Sequence, residues 1–171
     1  IILSKFKSSQ FSQYDLYKTN FSGNGVLLNN NTLNLSVRSM GSSGAEISNF
    51  KVNDKGVNID GGRTPGLSML KVKKLNGQII ELKNFSLTSA ISSDSVLNFL
   101  NTFDSTFYLM ALNASYVDYN QATPLNTATK NKIKSFGSTK IDSIVKFGWF
   151  DTWSFIGSLG ASPANVSEQF F

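Results

Sequence analysis

From Leu33 the chain alternates apolar and polar residues with a period of two. Leu33, Leu35 and Val37 point one way, Asn34 and Ser36 the other, as in a half-buried strand. Shorter stretches of the same kind, Ala45–Ile47, Phe50–Val52 and Val57–Ile59, are divided by Gly41, Gly44, an Asp54-Lys55-Gly56 turn and Gly61-Gly62. The strongest hairpin signal runs from Leu67 to Leu87. Strands over 67–75 and 78–87 flank Asn76-Gly77, a dipeptide suited to a two-residue type I′ turn with φ > 0 at both central positions. Ser93 or Asp94 then caps a helix reaching about Phe103, with Val96, Leu97, Leu100 and Phe103 on one face. Phe107–Leu112 is an unbroken apolar run of strand length and reads as a central strand buried on both faces. A second helix begins near Asn126 or Thr127, presents Ala128, Ile133 and Phe136, and carries lysines toward its C-terminal end. Gly137 is the expected left-handed residue after it. Alternation resumes over 144–150, with Val145, Phe147 and Trp149 on one face; Asp151-Thr152 is a turn or bulge, and Ser154–Ile156 is extended again.

Strands, helix, buried strand, helix and strands again make an α+β fold, with two mostly antiparallel β-sheets and about two helices packed on them. Residues 1–32 have a different texture. Phe6, Phe11, Tyr14, Tyr17 and Phe21 are spaced irregularly among Ser, Gln and Asn, with turn signals at Gly23-Asn24-Gly25 and Asn29-Asn30-Asn31. The division expected is an extended arm or linker over 1–32 and one globular domain over 33–171.

Composition narrows the chemistry. The 171 residues contain no Cys and no His, so disulfides, thiol nucleophiles, Ser-His-Asp and Cys-His sites and His-based metal sites are all excluded. No acidic calcium-loop motif is present. No cofactor, metal or catalytic residue is therefore expected. No apolar run approaches the roughly 20 residues of a membrane span. The net charge is +5, but the lysines are dispersed. Lys71 and Lys73 share one strand face, and Lys130 and Lys134 one helix face; both read as solvated surfaces. With Arg38 and Arg63 as the only arginines and no basic-aromatic pattern, no nucleic-acid partner is expected. Asn-x-Ser/Thr triplets begin at Asn20, Asn30, Asn34, Asn84, Asn113 and Asn165, an expected chance harvest in so Asn- and Ser-rich a chain.

The stretch Phe136-Gly137-Ser138 at a helix end, followed by Phe150-Asp151-Thr152-Trp153-Ser154-Phe155-Ile156-Gly157 and a later Gly160, carries a resemblance. It is similar to the closing pattern of the GG domain, also called the interleukin-like EMT-inducer or PANDER-like domain. That pattern is Leu-Gly-Ser, a spacer, then Arg-Asp-x-Trp-x-Phe-x-Gly. Gly66-Leu67 and the Asn76-Gly77 turn resemble the family's glycine-led hairpin, and Ser162-Pro163 and Glu168 its closing segment. The resemblance covers roughly residues 34 to 171. Phe150 replaces the family's Arg, and the cysteines of secreted members are missing. The family includes cytokine-like secreted proteins, the stem of protein-O-mannose N-acetylglucosaminyltransferase, and the long-tail-fibre hinge connector of T-even-type phages. The missing cysteines favour the phage-like branch, because a protein assembled in a reducing cytosol gains nothing from disulfides.

Two readings of residues 149–160 follow. In the structural one, Gly137, Ser138, Asp151, Trp153, Phe155, Gly157 and Gly160 form a scaffold. Trp153 and Phe155 face one side and are buried, Asp151 fixes the turn, and Gly157 allows close packing or φ > 0. In the functional one, Trp149 and Phe150, with Tyr116 and Tyr119, form an exposed platform on which sugars stack, as carbohydrate binding by the stem-domain relative implies. A catalytic role for Asp151, paired with Asp118 or Glu168, has no glycosidase-like spacing behind it. The structural reading is favoured. The function expected is a non-enzymatic binding or structural module, virion-borne or extracellular, in a phage tail or tail-fibre assembly. Its arm contacts other protein subunits; glycan recognition, and then a secreted cytokine-like ligand, are the alternatives.

Overall fold

The computed structural model describes residues 19–22, 25–28, 33–39, 48–57, 59, 66–114, 123–145 and 152–170. Ten strands and two α-helices are formed among them: β1 (Thr19–Ser22), β2 (Gly25–Leu28), β3 (Leu35–Arg38), β4 (Asn49–Val52), β5 (Lys55–Val57), β6 (Gly66–Lys73), β7 (Ile79–Phe85), α1 (Ala90–Leu100), β8 (Phe107–Ala114), α2 (Thr127–Lys134), β9 (Trp153–Gly157) and β10 (Ser167–Phe170). Strands β1 and β2 pair as an antiparallel hairpin inside the region expected to be an arm. The expected strand at Ala45–Ile47 lies outside the described residues.

The fold is α+β, with a five-stranded sheet in the order β10-β9-β8-β6-β7 and a three-stranded sheet in the order β3-β4-β5. Every pairing in both is antiparallel. The period of two divides the large sheet's side chains between two cores. Leu67, Met69, Leu109, Ala111, Trp153 and Phe155 face the helices, where they meet Val96, Phe99, Leu100, Ile133 and Phe136. Leu70, Val72, Met110, Leu112 and Ile156 face the small sheet and meet Leu33, Leu35, Phe50 and Val52. The five-stranded sheet is thus the middle of three layers. That position explains why β8 reads as an unbroken apolar run and why β6 is buried along almost its whole length.

The two hairpins exchange the turn chemistry expected of them. At β4–β5, Val52 opposes Lys55, leaving Asn53-Asp54 as the two-residue turn. Both have positive φ, 51° and 62°, the mark of a type I′ turn. At β6–β7 the Asn76-Gly77 type I′ turn does not form. Gly77 alone has positive φ, 71°. The loop is four residues long, closed by Gly77 N–H to Lys73 O at 2.9 Å and Lys73 N–H to Gln78 O at 2.9 Å. Asn76 uses its side chain instead, accepting from Gln78 N at 3.0 Å. A bulge between Lys71 and Val72 pairs Lys71 with Glu81 but Val72 with Ile79, so Ile80 is an extra residue and the register brings Lys73 opposite Gln78, around the four residues 74–77.

Helix α1 starts at Ala90, earlier than expected, with Ser89 at its N-cap and no side-chain capping bond. Its buried face is Ser93, Val96, Phe99 and Leu100; Leu97 is only half-buried. In α2 the buried face is Thr129 and Ile133, while Ala128 is exposed. Beyond α2 a 3₁₀ turn spans Ile141–Ser143. The expected strand after it does not start at Val145, which sits in a bend and is 64% exposed; residues 146–151 lie outside the described part.

Candidate functional site

The motif residues converge where the end of α2 meets β9 and β10. Helix α2 is positioned first at its start. Asn126 caps it, accepting from Thr129 N at 2.8 Å, and donates to Asp94 Oδ1 at 2.9 Å. Ser93 Oγ accepts from Asn126 N at 2.9 Å, and Thr129 Oγ1 donates to Ser93 O at 2.9 Å. Ser93 and Asp94, expected to cap α1, thus brace α2 from inside the interface. The hydroxyls of Ser93 and Thr129 satisfy each other across it, 3.0 Å apart, so neither is stranded in an apolar core.

At the other end, Gly137 ends the helix with φ 102°. A Cβ there would meet Val166 Cγ1 at 2.5 Å. Gly157 has ordinary φ, and its requirement is space: a Cβ would fall 2.4 Å from Phe136 O. The glycine of β9 therefore lets that strand touch the helix end. Gly160 N–H reaches across to Ser135 O at 2.9 Å.

Glu168, on β10 opposite Phe155, ties these pieces together. Its Oε1 accepts from Trp153 Nε1 at 2.9 Å and from Ser138 Oγ. Its Oε2 accepts from Thr139 N at 2.8 Å, Lys140 N at 3.0 Å and Thr139 Oγ1 at 3.3 Å. Ser138 Oγ in turn accepts from Ile141 N at 3.3 Å. Five donors thus converge on one carboxylate, which has about four lone-pair sites. It sits at the N-terminal end of the 3₁₀ turn, where negative charge is favoured. Trp153 and Phe155 are fully buried and stack with ring centroids 5.6 Å apart and an interplanar angle of 6°. Phe136 meets Phe103 edge-on at 5.3 Å. Burying each large ring contributes on the order of 2–3 kcal/mol.

Of the residues singled out in the sequence, Gly137, Ser138, Trp153, Phe155 and Gly157 are brought together in this clamp, with Gly160 beside it in a turn at φ 78°. Asp151 and the four aromatic platform candidates, Trp149, Phe150, Tyr116 and Tyr119, lie outside the described residues. Glu168 was legible only as part of a closing segment and as a remote partner for Asp151; its place is structural.

Lys71 corrects the reading of a solvated strand face. It is buried. Its Nζ donates to Thr102 O at 2.6 Å and Thr102 Oγ1 at 3.3 Å, and lies 4.2 Å from the Phe107 centroid and 5.0 Å from that of Phe103. The period of two held the signal, since Lys71 follows Leu67 and Met69 on the helix-facing side. Nearby, Lys74 lies over Tyr108 at 5.1 Å. Partial burial lowers the Lys74 pKa against an opposing pull from Asp104, and raises that of Tyr108. Hydrogen bonds from Thr106 hold Asp104 below the usual carboxylate range.

Among the described residues, no group of three or more acidic side chains is gathered as a metal site, and no helix is long and apolar enough to cross a membrane. Asn113, one of the Asn-x-Ser positions, is fully buried and inaccessible to a glycan, whereas Asn165 is exposed. No curated protein matches the chain. The family model described as Interleukin-like EMT inducer matches residues 65–161, from the start of β6 to the turn after β9; it takes in Gly137, Ser138, Trp153, Phe155 and Gly157 but ends before Glu168. That span is more than half of the 171 residues, and the chain belongs to the Interleukin-like EMT inducer family.

Proposed function

We propose that this domain is a non-catalytic module working through contacts with other protein subunits of a virion or extracellular assembly, with a phage tail or tail fibre as the leading case. The state of the motif carries this reading. Its indole, second ring and two of its glycines are turned inward, and Glu168 is occupied by five donors from its own chain. The lone pairs a substrate would need are taken by donors of the same chain. With no His or Cys in the chain, the commonest base and the strongest nucleophile are missing too. Recognition then belongs to the outer surfaces and to residues 1–32. The family's description as an interleukin-like inducer names a protein ligand, which supports an extracellular setting and contact over chemistry. The absence of cysteine supports the virion setting over a secreted cytokine-like ligand.

Cross-linking in the native particle, with the full chain and with a chain lacking residues 1–32, tests the reading. Loss of subunit contacts on truncation is expected; unchanged assembly and oligomeric state would refute it. A glycan array with Trp149→Ala as control decides the carbohydrate alternative. Binding by the parent chain that vanishes in the variant would move the function to glycan recognition.

A further inference from the structure

Asn-Gly is a dipeptide prone to losing ammonia, because glycine has no Cβ to shield its nitrogen. The glycine nitrogen gives its proton to a base and attacks the asparagine Cγ. The N–Cγ bond forms as Cγ–Nδ2 breaks, and the leaving nitrogen takes up a proton to depart as ammonia. Water then opens the imide ring at either carbonyl, leaving aspartate or isoaspartate. The chain holds two such pairs, Asn24-Gly25 and Asn76-Gly77. At the second, the β6–β7 loop exposes the Asn76 side chain but buries Gly77. The proton of the attacking nitrogen is committed, since Gly77 N–H donates to Lys73 O at 2.9 Å. An imide nitrogen carries no proton, so neither the nucleophile nor the ring can keep that bond. Lys73 N–H to Gln78 O and Lys74 N–H to Thr106 O, both 2.9 Å, fasten the loop further. Asn76 Oδ1 accepts from Gln78 N at 3.0 Å, which fixes the side chain as well.

We infer that Asn76 is a latent deamidation site, held closed by the small-sheet layer and open to reaction when that layer lifts from the β6–β7 loop. Gly77 is seated against the layer. A Cβ there would meet Leu33 Cδ1 at 2.5 Å, Asn53 Nδ2 at 3.1 Å and Val52 Cγ1 at 3.3 Å. To attack, Gly77 must leave this seat, shed its bond to Lys73 O and give up a proton to a base from solvent. Leu33 and Val52 belong to the core between the two sheets, with Leu70, Val72 and Met110. The seat is therefore lost by opening one layer, while the helix-facing core of Met69, Phe99, Phe136 and Trp153 stays closed. An opening of that extent costs less than unfolding the whole chain. The rate at Asn76 then follows the population of the open loop, and the modified fraction records how often the small sheet lifts. The inference is independent of the assembly proposed above, because it uses neither the N-terminal segment nor the clamp around Glu168.

Incubation of the full chain at mildly alkaline pH, folded and in denaturing guanidinium chloride, is the test. Peptide mass spectrometry reads each asparagine separately, so positions 24 and 76 are not confused. Conversion at Asn76 is expected to be at least about tenfold slower in the folded chain than in the unfolded one. Leu33→Ala removes the side chain nearest Gly77 and is expected to speed the folded-state reaction severalfold while keeping the wild-type circular dichroism spectrum. Val52→Ala takes its place if that variant does not fold. Glu168→Ala weakens the helix layer instead, and is expected to leave the rate at Asn76 near the wild-type value. Equal rates in the folded and unfolded chain would overturn the inference. So would an acceleration by Glu168→Ala as large as that by Leu33→Ala, because global unfolding would then be the route. A folded Leu33→Ala or Val52→Ala chain with an unchanged rate would also overturn it, because the loop's own hydrogen bonds would then suffice without the small sheet.

Discussion

Replacing Glu168 by alanine removes the acceptor for five hydrogen bonds, and the cost divides unevenly among the donors. Thr139 and Lys140 are exposed, so their backbone N–H groups turn to water and lose little. Trp153 is fully buried and Ser138 nearly so, at 5% exposure. Leaving a buried donor unsatisfied costs about 1–3 kcal/mol. The serine hydroxyl recovers part of its share by rotating, whereas the indole Nε1–H is fixed by the stack on Phe155. The expected loss for Glu168→Ala is therefore about 3 kcal/mol, roughly a hundredfold or more in the folding equilibrium. Glu168→Gln keeps one acceptor oxygen but aims its amide N–H groups at the other set of donors, and is expected to fall between alanine and wild type. Urea unfolding followed by tryptophan fluorescence and by backbone circular dichroism measures both, with coincident transitions and an unchanged denaturant slope as controls. Thr139→Ala removes only the outermost contact and is expected within about 0.5 kcal/mol of wild type. A Glu168→Ala loss below about 1 kcal/mol would show that the clamp's donors are already satisfied by solvent, and the reasoning would fail.

Lys71→Met keeps the buried stem but removes the donor to Thr102 and the cation over Phe107; a loss of about 1–2 kcal/mol is expected in the same assay, against less than about 0.5 for Lys73→Met on the neighbouring half-buried position. Gly157→Ala drives a Cβ to 2.4 Å from a backbone oxygen and is expected to cost about 2 kcal/mol or more. Gly160→Ala meets nothing within 4 Å and is expected to cost only the left-handed backbone penalty of about 1–2 kcal/mol; equal losses for the two would refute the close-approach account. Tyr108, its pKa raised by burial, favours the neutral phenol in the folded state. Its contribution to stability is present below the unfolded-state pKa and is lost as pH rises through the higher folded one. Ultraviolet titration is expected to show a late phenolate phase that disappears in Tyr108→Phe.

The parts of the fold that were legible are those set by local period and local chemistry. The unbroken run of β8 could only be a strand buried on both faces, and it lies in the middle layer. Asn126 caps α2 and Gly137 ends it, as a side-chain acceptor and an absent Cβ require. The inward alternation of Trp153 and Phe155 is what a half-polar strand must do. The turns were less legible. Asn76-Gly77 has the composition of a type I′ turn, but the bulge at Ile80 lengthens the loop. Asn53-Asp54 adopts that geometry, with Asn53 also bonded to Asn34 in both directions, N–H to Asn34 O at 2.8 Å and Oδ1 from Asn34 N at 3.2 Å. Ser93 looked like a cap because its residue type favours one; in the fold it faces Thr129 of another helix.

Alternation, capping residues and an apolar run determined most of the described strands and both helices from sequence alone, since each acts over a few neighbouring residues, while the family showed in the resemblance of the motif at 136–138 and 150–157. The roles of Lys71 and Glu168 were decided only by tertiary structure. Lys71 is buried because Thr102, thirty-one positions away, closes over its ammonium. Glu168 is a hub because β10 returns beside β9 and delivers a carboxylate to donors at 138–140 and at 153. A buried charge is tolerated only where distant groups satisfy it, and which groups those are depends on how the layers stack.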